Sequence, residues 1–224
     1  MAAYRQLLAE NHVEEILTDV KQNKNLDRKK ELPVWLPLAE SFTNGLRKAE
    51  DAQPSGLYFL DIDEKGLTEQ LWNKVCEENL IEAFRIVYFA ESAGGGTHIW
   101  AWRTPGISIE EDIQKLASRL GVSYDSHVTD LARCCFMVSE QYVKLLDPIV
   151  FEPLTDEQRQ LFAQPIMNKV ESMEVEKSQT SNLKLQTSMS YKGIPYEKSC
   201  RPCFGNWVMA MLLLRVSAIR PSTP

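Results

Sequence analysis

Two aspartates near the end of an apolar run, Asp61 and Asp63, are the first residues of this chain whose type and spacing suggest chemistry. Alternate side chains of a β-strand point to the same face of its sheet, so the two carboxylates share a face. Carboxylates this close repel each other unless a cation lies between them. Mg²⁺ and Mn²⁺ prefer such oxygen ligands, completed by phosphate oxygens of a substrate. The pair predicts a divalent metal site; the alternative is an acidic strand end that binds no metal.

A glycine-rich turn, Ser92 to Gly96, is followed by His98. Glycines let backbone amides approach phosphate groups closely, because no side chain stands in the way. Strand alternation places His98 on one face together with Trp100 and Trp102. The turn therefore predicts a phosphate-binding loop, with a flexible hairpin connection as the alternative.

Asp125 and Arg133 lie on either side of a polar segment that precedes the apolar run Cys134 to Val138. If that run is a strand beside the first one, Asp125 can join Asp61 and Asp63 as a third metal carboxylate. Arg133 is then placed to neutralise phosphate charge. The alternatives are a capping role for Asp125 and a surface ion pair for Arg133.

Periodicity predicts the elements that must position these residues. Apolar runs predict strands over 56–63, 84–90, 97–103 and 134–138, and apolar residues at helical spacing predict helices over 67–79 and 108–121. The order β-α-β-β-α-β is that of ferredoxin-like and RRM-like domains. In such a sheet the first and third strands are central and the fourth flanks the first. The candidate residues would then share one open face.

The fold class expected is α+β, with an RRM-like palm core, an N-terminal helical segment and a poorly ordered C-terminal tail. A helix over 4–23 and a proline-broken basic connector make up residues 1–55, which belong to the same domain as the core at 56–155. The polar composition beyond Pro153 predicts a linker over 156–190. Residues 191–224 are expected to be a truncated C-terminal segment.

Composition narrows the class of protein. The 224 residues carry 31 acidic and 25 basic side chains, a net charge of −6, which argues against a protein that coats a polyanion with its whole surface. Five cysteines, an odd number, and no recognisable secretory leader favour a reduced, cytoplasmic chain. Cys200 and Cys203 lack a second ligand pair for zinc. The longest apolar stretch, 207–214, is too short to cross a membrane.

Taken together, the motifs resemble the three-motif signature of archaeo-eukaryotic primase and primase-polymerase domains. They are the Leu-Asp-Ile-Asp run at 60–63, the Glu-Ser-Ala-Gly-Gly-Gly-Thr-His run at 91–98, and Asp125 with the Asp-Leu-Ala-Arg run at 130–133. Residues from about 30 to 155 are most similar to the N-terminal primase-like domain of virulence-protein-E-type proteins of bacterial mobile elements and phages. Larger members of that family continue into further DNA-processing regions.

The resemblance implies a role for each candidate residue. Asp61, Asp63 and Asp125 would bind Mg²⁺ or Mn²⁺ and form the catalytic centre. Ser92, His98 and Arg133 would hold the triphosphate of the incoming nucleotide. The implied partners are nucleoside triphosphates, single-stranded DNA and a replicative helicase, in the DNA replication of a mobile element or phage.

Two other functions are compatible with the same residues. A catalytically idle module of this fold could grip single-stranded DNA or a replication partner, with Trp100 and Trp102 as stacking surfaces. An aspartyl-phosphate phosphatase also uses two aspartates after a strand, but it requires a Rossmann-like alternation of elements, whereas a hairpin is predicted here. The three carboxylates favour the nucleotidyltransferase.

Overall fold

The computed structural model describes residues 2–162, apart from the side chains of Ala3, Ser126 and His127, and two short strands near the C-terminus. Those strands, Ser190–Tyr191 and Ile194–Pro195, pair antiparallel. Most of the predicted linker, the rest of the C-terminal segment and Cys200 and Cys203 lie outside the described residues. The described chain has a mixed α+β fold.

The N-terminal elements are α1 (Ala2–Glu10), α2 (Val13–Lys21), β1 (Val34–Trp35), β2 (Ala39–Phe42) and β3 (Ala52–Pro54). One continuous helix over 4–23 was expected, and this prediction was wrong. His12 adopts a left-handed backbone with φ +50° and separates α1 from α2. Histidine is among the residues that tolerate this conformation. The apolar face is kept, with Val13 and Leu17 fully buried.

The core elements are β4 (Leu57–Ile62), α3 (Thr68–Glu77), α4 (Leu80–Phe84), β5 (Ile86–Glu91), β6 (Thr97–Trp102) and α5 (Ile109–Leu120). They are followed by β7 (Cys135–Phe136), β8 (Val143–Leu146) and α6 (Asp156–Phe162). Strands β4, β6, β5 and β8 form a four-stranded antiparallel sheet in that order. The adjacency of the first and third predicted strands is confirmed by the pairing of β4 with β6.

The predicted fourth strand does not lie beside the first. Cys135–Phe136 pairs with β1 outside the main sheet, and β8 occupies the edge next to β5. The first strand, β4, is therefore at an edge of the sheet and not in its centre. The apolar run at 134–138 instead lies beside the buried segment around Trp35. The Met137 N–H donates to the Pro33 carbonyl at 2.8 Å. Period-2 alternation identifies a strand but not its partner.

The two faces of the sheet are both covered. Helix α3 packs on one face, where Trp72 contacts Phe89 with ring centroids 5.2 Å apart. On the opposite face, which was expected to be open, Trp35 lies edge-on to Trp100 at 5.3 Å and stacks on Tyr4 at 5.6 Å. The N-terminal segment thus completes the core and is more than a connector.

Helix α6, the last helix among the described residues, begins the stretch that was expected to be a linker. Its Phe162 is buried and stacks on Trp102 at 6.2 Å, in a notch that Gly56 leaves open. Arg159 of the same helix pairs with Glu40 of β2 at 3.0 Å. No helix among the described residues is long and apolar enough to cross a membrane.

Candidate functional site

Asp61 and His98 form a direct cross-strand pair between β4 and β6. His98 Nε2 lies 3.3 Å from Asp61 Oδ1, and the two side chains are only 10% and 14% exposed. The His98 ring lies edge-on to Phe59, with ring centroids 5.1 Å apart. Alternation along the two strands places all three side chains on the face that carries Trp100. The shared face predicted from strand alternation is therefore found, but the two side chains are buried and do not lie on an open face of the sheet.

Arg133 bridges two of the predicted carboxylates. Its Nη2 lies 2.9 Å from Asp125 Oδ2 and 3.4 Å from Asp61 Oδ2. The Asp125 N–H donates to the Asp61 carbonyl at 3.2 Å, which holds the segment after α5 against the end of β4. A turn at Asp130 positions the arginine, because Arg133 N–H donates to the Asp130 carbonyl at 2.8 Å.

The pKa of the Asp61 carboxyl is lowered from its ordinary value. Burial acts in the opposite direction and is the largest single influence. The hydrogen bond and charge of His98, together with Arg133, outweigh it. The carboxylate is therefore kept ionised in a largely buried position, where charge acts more strongly than in water.

The other two predicted residues, Asp63 and Ser92, do not join this cluster. Asp63 is exposed and lies beyond the last residue of β4. Ser92 is 8% exposed, and its hydroxyl accepts a hydrogen bond from the Gly96 N–H at 3.1 Å. It lies on the face of His98, since Ala90, two residues earlier, pairs with His98. Its hydroxyl closes the glycine-rich turn.

Two glycines of the turn are required by the fold. A methyl group on Gly96 would lie 2.2 Å from the Ile62 carbonyl oxygen, a severe clash with backbone. Gly95 has φ +90°, a conformation that other residues rarely adopt. A methyl group on Gly94, in contrast, would lie 3.4 Å from Lys29 Nζ and clash with no backbone atom. Only Gly94 is left without a structural reason for being glycine.

Three lysines from different elements surround this turn, and the sequence analysis did not assign any of them to the site. Lys21 of α2 pairs with Glu91 and donates to the Ser92 carbonyl at 3.0 Å. Lys29 reaches Gly94, and the Lys65 side chain lies beside Gly95. The basic character of residues 24–55 was a partial signal for Lys29, but nothing local pointed to the turn.

The described residues do not fit a metal ion held by three carboxylates in this arrangement. Within the part of the chain that the structure describes, no group of three or more His, Cys, Asp or Glu side chains is placed to hold a metal. The Arg133 guanidinium lies between Asp61 and Asp125, and Asp63 is exposed beyond the end of β4. The carboxylates have the right donor chemistry, but an arginine supplies the cation.

The tryptophans proposed as stacking surfaces are not equally available. Trp100 is 2% exposed and stacks on Tyr88 with ring centroids 4.0 Å apart. Trp102 is partly exposed but carries Phe162 on its ring. Trp100 is therefore a core residue, and its use as a base-stacking surface is contradicted.

Comparison of the chain with protein-family models, with curated proteins and with solved structures finds no match in any of the three. The assignment of a function to this chain therefore depends on its own residues and their geometry.

Proposed function

We propose that this chain is a primase-polymerase-like nucleotidyltransferase domain that transfers nucleotides onto a DNA template-primer in the replication of a mobile element or phage. The observation that carries the proposal is the convergence of Asp61, His98, Asp125 and Arg133. These four residues come from three separate parts of the sequence, were each assigned to the same reaction from the sequence, and meet at one end of the sheet. The resemblance of the three motifs, in order, adds support.

Each residue of the cluster has a task in such a reaction. Phosphoryl transfer needs cationic groups that stabilise charge on the phosphate oxygens, and Arg133 and His98 can donate hydrogen bonds to them. Asp61 and Asp125 supply oxygen ligands of the kind that Mg²⁺ or Mn²⁺ prefers. Because Arg133 now bridges these carboxylates, the proposal requires that it exchange Asp61 and Asp125 for a phosphate group. The proposal keeps the palm-like RRM core, with the fourth strand of the sheet beside β5 and not beside β4.

Incubation of the purified chain with single-stranded DNA, labelled nucleotides and Mn²⁺ tests the proposal. The expected result is primers or extended ends, which Asp61→Asn abolishes. Lys115→Gln, a change in α5 on the opposite side of the sheet, is the matched control and should leave product formation unchanged. Absence of product with both deoxy- and ribonucleotides, from folded protein, would contradict the proposal.

A binding module without turnover is the second candidate function. The bridging of Asp61 and Asp125 by Arg133 favours it, because a stable ion-pair network needs no metal. In that case single-stranded DNA would bind equally well with and without Mn²⁺, and no nucleotide would be incorporated.

A further inference from the structure

One asparagine in the sequence is followed directly by glycine, at Asn44 and Gly45. Such an asparagine can lose its side-chain amide without an enzyme. The backbone nitrogen of the glycine bonds to the side-chain carbonyl carbon, the bond from that carbon to the amide nitrogen breaks, and ammonia leaves with the displaced proton. Water then opens the succinimide ring to aspartate or isoaspartate. Glycine favours the attack, because no Cβ shields its nitrogen.

The structure places this pair within reach of solvent. Asn44 and Gly45 lie in the connection between β2 and β3, outside any helix or strand, and both are exposed. Gly45 has φ +67°, a conformation that glycine adopts without strain. Water, and the base that removes the glycine proton, can therefore reach both reacting groups.

Two hydrogen bonds restrain the pair in the closed hairpin of β2 and β3. The Gly45 N–H donates to the Phe42 carbonyl at 3.1 Å, so the attacking nitrogen is engaged. Asn44 Nδ2 donates to Asp51 Oδ1 at 2.7 Å, which fixes the carboxamide beside the start of β3. An accepting carboxylate also does not supply the proton that departing ammonia needs. The reaction therefore requires this end of the hairpin to open, as exposed turns do by local unfolding.

The product would oppose closure of the hairpin. A carboxylate would replace the amide that donates to Asp51, so this hydrogen bond is lost and two negative charges face each other. Isoaspartate would in addition lengthen the backbone of the turn by one carbon. Each opening that leads to reaction is thus made permanent.

The hairpin also contacts the segment that carries Arg133. Phe42 and Ala52 pack in one apolar cluster with Ala132, the residue directly before Arg133. Arg47, two residues after Gly45, lies with Nη1 2.9 Å from Cys134 Sγ, directly after Arg133. An open hairpin would loosen the support of this segment on both sides of the arginine.

We propose that Asn44 is a site of spontaneous deamidation, that its hydrogen bond to Asp51 restrains the reaction in the folded chain, and that the product holds the hairpin of β2 and β3 open. The co-reactant is water, and ammonia is the leaving group. The site lies outside every motif assigned to nucleotide transfer, and the inference does not depend on that function.

Peptide mapping by mass spectrometry, after incubation of the full chain in mildly alkaline buffer made with heavy-oxygen water, tests the site. The peptide that contains Asn44 should gain labelled oxygen. Asp51→Ala should convert about two- to ten-fold faster than the wild type, because one restraining hydrogen bond is lost. Asp51→Asn keeps an acceptor oxygen and should lie nearer the wild type. Asn25, which is exposed but followed by leucine, is the control within the same chain and should stay unconverted.

Asn44→Asp imitates the product and tests the effect on the hairpin. Limited digestion with trypsin should cut after Arg47 and Lys48 about two- to ten-fold faster in this variant than in the wild type, since cleavage follows the population of the open form. Cleavage after Lys115 in α5 should not change. Asn44→Ala removes the hydrogen bond without adding a charge and should give an intermediate rate. Thermal unfolding shows that each variant is folded.

Three results would overturn the proposal. The first is conversion of Asn44 in the urea-unfolded chain with none in the folded wild type or in folded Asp51→Ala. The second is an equal rate of conversion in the wild type and in Asp51→Ala, because the hydrogen bond would then restrain nothing. The third is an unchanged rate of tryptic cleavage after Arg47 and Lys48 in Asn44→Asp, which would mean that the product leaves the hairpin closed.

Discussion

The guanidinium of Arg133 lies between the carboxylates of Asp61 and Asp125, where a divalent cation would lie in the proposed enzyme. The two carboxylates are 14% and 21% exposed, so solvent screens their repulsion only in part. Removal of the arginine leaves two like charges in a shielded place. In the proposed enzyme, the stability of the cluster and the access of a metal to its carboxylates would depend on the same side chain.

Arg133→Gln should lower the free energy of unfolding by about 1–3 kcal/mol, because it breaks a largely buried ion-pair network. For a chain of this size this corresponds to a fall in melting temperature of roughly 2–12 °C. Mn²⁺ should raise the melting temperature of the variant more than that of the wild type, since the cation replaces the lost charge. Thermal unfolding with and without Mn²⁺ measures both effects.

Arg119→Gln is the control, because Arg119 pairs with Glu78 in a more exposed position. It should cost no more than about 1 kcal/mol and show no special response to Mn²⁺. An Arg133 variant whose melting temperature ignores Mn²⁺ would count against Asp61 and Asp125 as metal ligands.

The buried carboxyl of Asp112 leads to a separate prediction about how the stability of the fold depends on pH. It is 4% exposed in α5 and accepts a hydrogen bond from the Thr104 N–H at 2.9 Å. Burial raises its pKa above the ordinary 3.8, and the Thr104 hydrogen bond and Arg103 offset this only in part. The folded chain thus holds this proton more tightly than the unfolded chain. The resulting stability is present below 3.8 and is lost as pH rises through the raised pKa.

Asp112→Asn keeps an oxygen acceptor for Thr104 and removes the titration. Denaturant unfolding of the wild type and the variant, between about pH 3 and 7, gives the difference in unfolding free energy at each pH. Relative to the variant, the wild type should lose stability as pH rises from 3.8. A wild type that gains stability relative to the variant over this range would show the opposite shift of pKa.

At the scale of elements, Gly96 determines how closely the glycine-rich turn can lie against the end of β4. Gly96→Ala places a methyl group 2.2 Å from the Ile62 carbonyl oxygen, so the turn and the strand must separate. We expect a loss of at least about 2 kcal/mol of unfolding free energy, measured by urea denaturation. Gly94→Ala should stay within about 0.5 kcal/mol of the wild type. Equal losses in the two variants would contradict this account of the turn.

The sequence predicted those helices and strands whose apolar residues recur at a clear helical or strand spacing. Strands β4, β5 and β6 and helices α3 and α5 begin and end within a few residues of the predicted bounds. Their apolar spacing is strong, and α5 begins at a side-chain cap, with Ser108 Oγ accepting from the Glu111 N–H at 3.1 Å. The pairing of β7 with β1, and the place of β8, were not predictable in this way. Both strands are short, and which strand each of them pairs with depends on how the rest of the fold packs.

The candidate site likewise contains contacts that could be predicted from the sequence and contacts that could not. The convergence of Asp61 with His98 follows from strand alternation and adjacency alone. The direct bridge from Arg133 to Asp61 and Asp125 requires a loop conformation that no periodicity encodes. Lys29, near Gly94, and Lys65, near Gly95, were missed for the same reason, because their approach to the glycine-rich turn depends on segments that meet only in the folded chain.

At the scale of the whole molecule, α6 is the last helix of the described residues and packs on the core. Phe162 fills the notch at Gly56 and stacks on Trp102, and Arg159 holds Glu40. A chain that lacks 165–224 keeps these contacts and should melt within about 2 °C of the full chain, because the contacts that hold α6 on the core all lie at or before Phe162.

A chain that also lacks α6, with residues 156–224 deleted, is the matched comparison. It uncovers Trp102 and removes a buried phenylalanine, which should cost about 2–4 kcal/mol and several degrees of melting temperature. Differential scanning calorimetry compares the three chains. Early melting of the shorter deletion would show that residues beyond 164 pack on the core.

The cross-strand pairing of Asp61 with His98 has a consequence for how the chain avoids wrong structures. A slip of one residue between β4 and β6 would turn one partner toward the helices while the other kept its face. A carboxylate or an imidazole would then be buried without its partner in an apolar layer, at a cost of several kcal/mol. The polar cluster thus disfavours a misaligned register between β4 and β6. Only the correctly aligned sheet can assemble it, so any assay of the site also reports the fidelity of folding.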